Sequence, residues 1–463
     1  MNFSRSAIPI CGLVVVSAGR IRLDRRHTTE QTGISFDGMK RTAQTHMNRK
    51  EKDTRENFCV SSSGNFLYFY KMILPMRYLL LFLLVFFAWL PVIGQNTAQA
   101  GAVRMDCYAG MLEGKRIALV ANHTSLLGSV HLLDTLLSGG IQVVKVFSPE
   151  HGFRGDEDAG EKVSASLDRK TGIPILSLYG KHLKPQPRDL QNVDLILFDL
   201  QDVGVRFYTY LSALHYVMEA CAENKIPLVV LDRPDPNGYY VDGPVLDMKY
   251  KSYVGMHPVP VVYGMTIGEY ALMINGEGWL PGGDSCFLRV VPCIDYSHAS
   301  RIILPVKPSP NLSDALAVRL YPSLAFFEGT NVSVGRGTRF PFTVYGSPLI
   351  SGAPFSFTPQ SIPGMSKNPP HEGKTCYGWD LRLQAGEILE SQEGLNISYL
   401  INAYTHSTGQ EAFFNSYFNL LAGNSILQQQ VKDGMNEKEI RASWENGLNQ
   451  FRKIREKYLL YPD

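Results

Sequence analysis

A succession of short apolar runs, separated by helix-forming stretches, constrains this chain more than any other feature. Arg116-Ile-Ala-Leu-Val-Ala-Asn122, Val143–Phe147, Ile175–Tyr179, Leu195–Leu200 and Leu228–Asp232 are dominated by aliphatic and β-branched residues. Ser129–Ser138 and Thr209–Asn224 carry their apolar residues at helical spacing instead. Strands that are apolar at nearly every position must be buried on both faces, which a parallel sheet covered by helices provides. The expected fold class is therefore α/β, a Rossmann-like parallel sheet with helices on both faces. Each run ends in polar or turn chemistry: Asn122-His123, Glu150-His151, Tyr179-Gly180, Asp199 with Asp202, and Asp232-Arg233. Open α/β sheets bind ligands outside their strand carboxyl ends, so these residues are expected to border one site.

The texture changes after about residue 290. Pro305-Val-Lys-Pro-Ser-Pro310-Asn311 can be neither helix nor central strand and reads as a crossover between domains. Beyond it, Pro/Gly-rich loops at 346–370, short strands and a helical region at 424–458 predict a smaller α+β auxiliary domain. The expected division is a catalytic domain at 103–305 and an auxiliary domain at 306–463, with the active-site cleft between them.

The first 77 residues carry 13 Lys and Arg against 6 Asp and Glu, leaving 32 against 37 in the rest of the chain. That slightly acidic body gives no electrostatic argument for binding nucleic acid. Met76-Arg77, an apolar run of about 13 residues ending at Pro91, and Val92-Ile-Gly94 have the form of a secretory signal peptide. The run is short of the ~20 residues a spanning helix needs. Residues 76–94 are thus expected to be removed on export to the periplasm or medium, and the mature form to carry no membrane segment. Residues 1–75 are expected to be a disordered extension, with translation starting at Met76 or Met72. An export compartment permits a disulfide, for which Cys286 and Cys293 are a plausible hairpin pair; five unpaired thiols after residue 95 are the alternative.

The densest chemistry is Phe147-Ser-Pro-Glu150-His151-Gly-Phe-Arg154-Gly-Asp156-Glu157-Asp158-Ala-Gly160, with four carboxylates, a His and an Arg at the end of a strand. No G-x-G-x-x-G follows a strand, so no dinucleotide cofactor is expected. H-E-x-x-H and G-x-S-x-G are absent too. His123, His151, Asp199 and Asp202 lack ligand-pair spacing, and no metal is expected.

Ala121-Asn-His-Thr-Ser125, Phe147–Gly155, Asp199-Leu-Gln-Asp-Val-Gly-Val-Arg-Phe-Tyr-Thr-Tyr210, Leu231–Gly238, Gly264–Glu269, Pro308–Asn311, Phe327–Thr330 and Gly335–Thr338 follow one another in order. Together they resemble the exo-β-N-acetylmuramidase family of bacterial cell-wall hydrolases, from about residue 103 to the C-terminus. The resemblance implies a Rossmann-like catalytic domain, a smaller auxiliary domain and an open cleft. It also implies release of N-acetylmuramic acid from the non-reducing ends of peptidoglycan fragments. The family's proposed catalytic acid falls on Glu150. Asp235 departs from the pattern, which has Asn at that place.

Glycosidic cleavage needs a carboxylic acid whose pKa is raised by burial or a neighbouring carboxylate. Asp156, Glu157 and Asp158 are close enough in sequence to raise Glu150. Asp199, Asp202 or Asp232 can serve as base or nucleophile, or the sugar's own acetamido group can attack. The lactyl carboxylate of muramic acid calls for a cation, which Arg206, Arg233 or Arg336 can supply. His123 and His151 can orient groups or bind sugar hydroxyls. Tyr179, Tyr208, Tyr210 and Trp279 can stack on a sugar face. Two other readings use the same residues: a non-catalytic glycan-binding module, and a metal-dependent hydrolase on His123, His151 and Asp199. The pattern is silent on oligomeric state.

Overall fold

The computed structural model describes residues 98–150, 152–154 and 166–463, together with the backbone of strands at 13–17 and 20–24. The expected signal peptide lies outside the described residues. In the first part of the chain, strands β1 (Leu13–Ser17) and β2 (Arg20–Asp24) precede helix α1 (Met105–Leu112), β3 (Ile117–Ala121), β4 (Leu126–Leu127) and β5 (Val130–His131). Next come α2 (Leu132–Ser138), β6 (Val143–Ser148), β7 (Ser166–Leu167), β8 (Pro174–Ser177) and β9 (Leu195–Asp199). Helix α3 (Tyr210–Asn224), β10 (Leu228–Leu231), α4 (Ile267–Gly276) and β11 (Leu288–Val291) complete it.

Nine of these strands form one sheet in the order β2-β1-β11-β10-β9-β3-β6-β8-β7, while β4 and β5 pair with each other. From β11 to β8 every pairing is parallel. Alternation along each strand explains the two covering layers. Ile117, Leu119, Ala121, Leu195 and Leu197 pack on one side with Tyr108, Leu112, Leu132 and Leu136 of α1 and α2. Ala118, Val120, Ile196 and Phe198 face the other side, against Leu214, Met218 and Leu272 of α3 and α4. The architecture is the expected α/β sheet, covered on both faces. The chain winds from β3 outward through β6 to β8, then returns to the other side of β3 as β9. That reversal opens a crevice at the carboxyl ends of β6, β3 and β9.

Ten residues of the stretch expected to be disordered, Leu13–Ser17 and Arg20–Asp24, form an antiparallel hairpin on β11. A β-branched Leu-Val-Val-Val run beside an edge strand satisfies backbone groups that the edge would otherwise leave open.

The later residues add α5 (Ala315–Leu324), β12 (Val344–Ser347), β13 (Phe355–Phe357) and β14 (Cys376–Asp380). Helices α6 (Ala385–Ser391), α7 (Ser398–His406), α8 (Phe418–Ala422), α9 (Ile426–Lys432), α10 (Glu437–Ala442) and α11 (Glu445–Arg455) follow. The small sheet has the antiparallel order β12-β14-β13, giving the expected strand-and-helix C-terminal region. Leu320, Phe326, Phe327 and Phe418 of this region belong to the same apolar cluster as Leu214 and Leu272. Cys286 and Cys293 are both free and buried, and they pack in separate clusters, so they do not form the hairpin disulfide. Among the described residues no helix is long and apolar enough to cross a membrane.

Candidate active site

Glu150 lies two residues beyond β6, where Pro149 ends the strand and turns the chain into the crevice. It lines a cavity of about 240 Å3 shared by the two halves of the molecule. Tyr179, Thr209, Tyr210 and Tyr253 come from the α/β half, and Asn311, Tyr321, Glu328, Arg336 and Tyr417 from the other. The hydroxyl of Thr209 donates to Glu150 Oε2 at 3.3 Å, and the Tyr179 phenol also hydrogen-bonds the carboxyl. Burial is the largest influence on Glu150 and raises its pKa above the ordinary carboxylate value. The two hydroxyls and the Arg336 cation pull against it, while the Glu328 charge adds to it. Among the described residues the neighbour that reinforces the shift is remote in sequence. Asp156, Glu157 and Asp158, expected to play that part, lie outside the described residues. The Tyr179 phenol, partly buried and facing Glu150, is pushed up to about 12 and stays neutral.

Arg336 is also placed here. Its Nε donates to Glu328 Oε1 at 2.6 Å, and its guanidinium carbon lies 5.0 Å from the centre of the Phe342 ring. The positive φ of Gly335 and Gly337, both +78°, turns the chain tightly on either side of it. A Cβ on Gly337 would fall 2.5 Å from the Gln360 carbonyl oxygen.

The other two arginines have structural partners. Arg233 forms a bidentate pair with Asp199, Nε to Oδ1 at 2.6 Å and Nη2 to Oδ2 at 2.8 Å, and both residues are buried. Neither lines the Glu150 cavity, because each neutralises the other in the interior. Arg206 is buried and donates to the carbonyls of Pro244, Val259 and Leu421 at 2.7–2.8 Å. It ties the Pro244 and Val259 loops to α8 and does not line the cavity.

Asp232 is fully buried under the start of α4. It accepts from Thr266 Oγ1, the Gly268 and Arg233 amides and the Tyr461 hydroxyl. A Cβ at Gly268 would sit 2.6 Å from Asp232 Cγ, so the glycine is required for this approach. Asp232 thus anchors a helix and the C-terminal tail, away from the cavity. Asp202 is likewise buried, accepting from the Tyr263 hydroxyl and the Gly204 amide. Asp199, Asp202 and Asp232, expected as second carboxylates, each have fixed buried partners and do not line the Glu150 cavity.

Tyr208 lines the cavity while its hydroxyl donates to the Pro308 carbonyl at 2.7 Å. Tyr210 accepts from Asn122 Nδ2 at 2.7 Å. His123 is hydrogen-bonded through Nε2 to the Lys307 carbonyl and does not line the cavity; His151 lies outside the described residues. Trp279 stacks on His257 at 4.8 Å, away from the cavity. Among the described residues no group of three His, Cys, Asp or Glu is placed to hold a metal ion. Tyr253, Tyr321, Tyr417 and Glu328 were not anticipated as site residues; Glu328 had a signal, standing in the ordered Phe327–Thr330 block.

A doubly wound α/β domain, completed at its carboxyl edge by an α+β region, places a carboxyl of raised pKa beside an arginine at its centre, an arrangement suited to a hydrolase. Residues 117–316 match the family model Exo-beta-N-acetylmuramidase NamZ, N-terminal, and residues 319–461 match its C-terminal counterpart. The chain belongs to this exo-β-N-acetylmuramidase family. It is 39% identical over 380 residues to the peptidoglycan beta-N-acetylmuramidase NamZ of Bacillus subtilis (strain 168), covering 76% of this chain and 89% of that protein. The fold is similar to crystal structures of two DUF1343 family proteins from Bacteroides fragilis. One has a TM-score of 0.73 at 47% identity, covering 79% of this chain and 99% of that one. The other has a TM-score of 0.65 at 25% identity, covering 79% and 100%.

Proposed function

We propose that this chain is an exo-acting β-N-acetylmuramidase that releases N-acetylmuramic acid from non-reducing ends of peptidoglycan-derived glycans. Glu150 is the general acid, protonating the leaving oxygen as the glycosidic bond breaks. The observation that carries this reading is a half-buried Glu150, its pKa raised, sharing a small cavity with an arginine. Family membership and the activity named for the Bacillus subtilis relative support the substrate. At about 240 Å3 the cavity is smaller than the ~300–1,000 Å3 of drug-sized ligand sites, which suits one terminal sugar better than a run of glycan.

Glu328 is the other carboxylate among the described residues that line the cavity, and it is tied to Arg336. With that carboxylate engaged, the sugar's acetamido oxygen is the nucleophile favoured here, in the manner of substrate-assisted glycosidases. Attack at the anomeric carbon would form a cyclic intermediate. Glu150, having given up its proton, would then activate the water that opens it.

The test is Glu150→Gln assayed on a muramyl–glucosamine disaccharide. Activity should fall about 10²–10⁴-fold with the fold intact, because an amide cannot supply the proton. A wild-type rate on this sugar leaving group would remove Glu150 from the role. The Tyr78–Pro91 pattern further supports export with cleavage near Gly94-Gln95. N-terminal sequencing of protein from the native envelope should begin near Gln95, which would also take β1 and β2 out of the sheet and leave β11 as its edge; cytosolic protein retaining residues 76–94 would contradict it.

A further inference from the structure

Glu328 stands in the cavity with no task in the reaction described above. Its carboxylate holds Arg336 through Nε alone, at 2.6 Å. Among the described residues the guanidinium makes no other side-chain hydrogen bond or ion pair. Its two terminal amines are left for whatever enters the cavity. The pair remains partly accessible, 24% for Arg336 and 27% for Glu328.

Two demands on this cavity conflict. A muramic acid residue brings a carboxylate that calls for a cation, and a cation favours the ionised form of any acid nearby. Glu150 must nevertheless keep its proton to act. Arg336 and Glu328 are the charged groups facing it among the described residues. Its uncharged neighbours include the Thr209 hydroxyl and the phenols of Tyr179, Tyr210, Tyr253, Tyr321 and Tyr417.

We propose that Glu328 is a positioning residue: it fixes Arg336 for the sugar's carboxylate and partly offsets that cation's field at Glu150, favouring the acid's neutral form. The inference rests on the reading of Glu150 as general acid. In the free enzyme the three groups then carry no net charge, being one cation, one anion and one neutral acid. When the sugar's carboxylate arrives, the balance becomes negative and Glu150 holds its proton more tightly. The alkaline limb of kcat should accordingly lie at higher pH than that of kcat/KM on muramides, and this separation should vanish on N-acetylglucosaminides.

The experiment compares pH profiles of kcat/KM for the wild type, Glu328→Gln and the double variant Glu328→Gln/Arg336→Gln on a muramyl–glucosamine disaccharide. Glu328→Gln unmasks the cation while keeping a hydrogen-bond acceptor. Its alkaline limb should move to lower pH, with activity near neutrality falling about tenfold, the lower end of what an opposite charge ~4–6 Å from a carboxylate causes. The double variant should recover the position of the limb while its KM for the muramide stays high. A merely structural role for Glu328 would produce neither shift nor recovery. If Glu328→Gln fails to fold, Glu328→Asp and the double variant carry the test, since the first keeps the charge and the second removes both. Coincident limbs in the wild type and Glu328→Gln, or no recovery in the double variant, would overturn the proposal. An alkaline limb that persists in Glu150→Gln would instead overturn the general-acid reading beneath it.

Discussion

Arg336 reaches the cavity with one edge committed to Glu328 and the other open, whereas Arg206 and Arg233 are spent on buried partners. As sequence, the three arginines were equivalent candidates for the lactyl carboxylate. Burial separates them, because a guanidinium taken out of water is claimed by the nearest acceptors. Arg336→Met should therefore narrow the preference for muramides over N-acetylglucosaminides by roughly ten- to hundredfold in kcat/KM. That is the effect of losing a charge-assisted hydrogen bond of ~1.5–3 kcal/mol, at about 1.4 kcal/mol per factor of ten. Comparing kcat/KM on the two sugars checks it, and an unchanged ratio would pass the role to backbone amides or another cation. Glu150 itself was legible as a carboxyl at a strand end; its burial depends on residues brought in from the other half of the chain.

Among the elements, the sheet was easiest to read. Runs such as Ile117–Ala121 and Leu195–Asp199 are buried at every position, and that signal is contained in a few consecutive residues. Strand β11, only four residues long and followed by Pro292, escaped notice, as did helix α4. Helix α4 did carry a local signal, the Thr266-x-x-Glu269 capping box, with both reciprocal hydrogen bonds formed. Connections between elements were not legible. Arg206 ties the Pro244 and Val259 loops to α8 through Leu421. Arg206→Met would leave three buried carbonyls without that donor, at ~1–3 kcal/mol for each one left unsatisfied. Thermal or urea unfolding should show a loss of several kcal/mol. The ratio of kcat/KM on the two sugars should not change. A variant as stable as the wild type would show that these loops are held by other contacts.

For the whole molecule, the pH dependence of stability reflects the buried acids. Burial raises Asp202 to about 6, and raises Asp235 well above 3.8, with the Asp202 charge adding to the latter. Gly204 lies between them, its amide donating to Asp202 and its α-carbon against Asp235. Both acids keep protons in the fold at pH values where the unfolded chain has lost them. The stability they contribute is full below about 3.8 and is lost as pH rises through their folded values, through about 6 for Asp202 and onward for Asp235. His215, lowered by burial to about 4, acts in the opposite sense and loses its contribution as pH falls from about 6.5 toward 4. Comparing a variant with the wild type cancels the histidine. Asp235→Asn has no proton to lose and relieves Asp202 of a neighbouring charge. Its Tm should fall less than the wild type's between pH 5 and pH 8, and parallel curves would mean that Asp235 ionises in the fold as freely as in the unfolded chain. Asn is also what the family's pattern has at this place, so the sequence marked the position without revealing its burial. The sequence by itself determined the layered α/β architecture and the edge at which chemistry gathers, because strand periodicity and turn residues are local properties. Only the tertiary structure decided which charges work in the cavity and which are locked in the core. A charge in the interior is fixed by its nearest complementary group; for Arg206 that includes the Leu421 carbonyl from the far half of the chain, and the Arg336–Glu328 pair beside Glu150 comes from that half too.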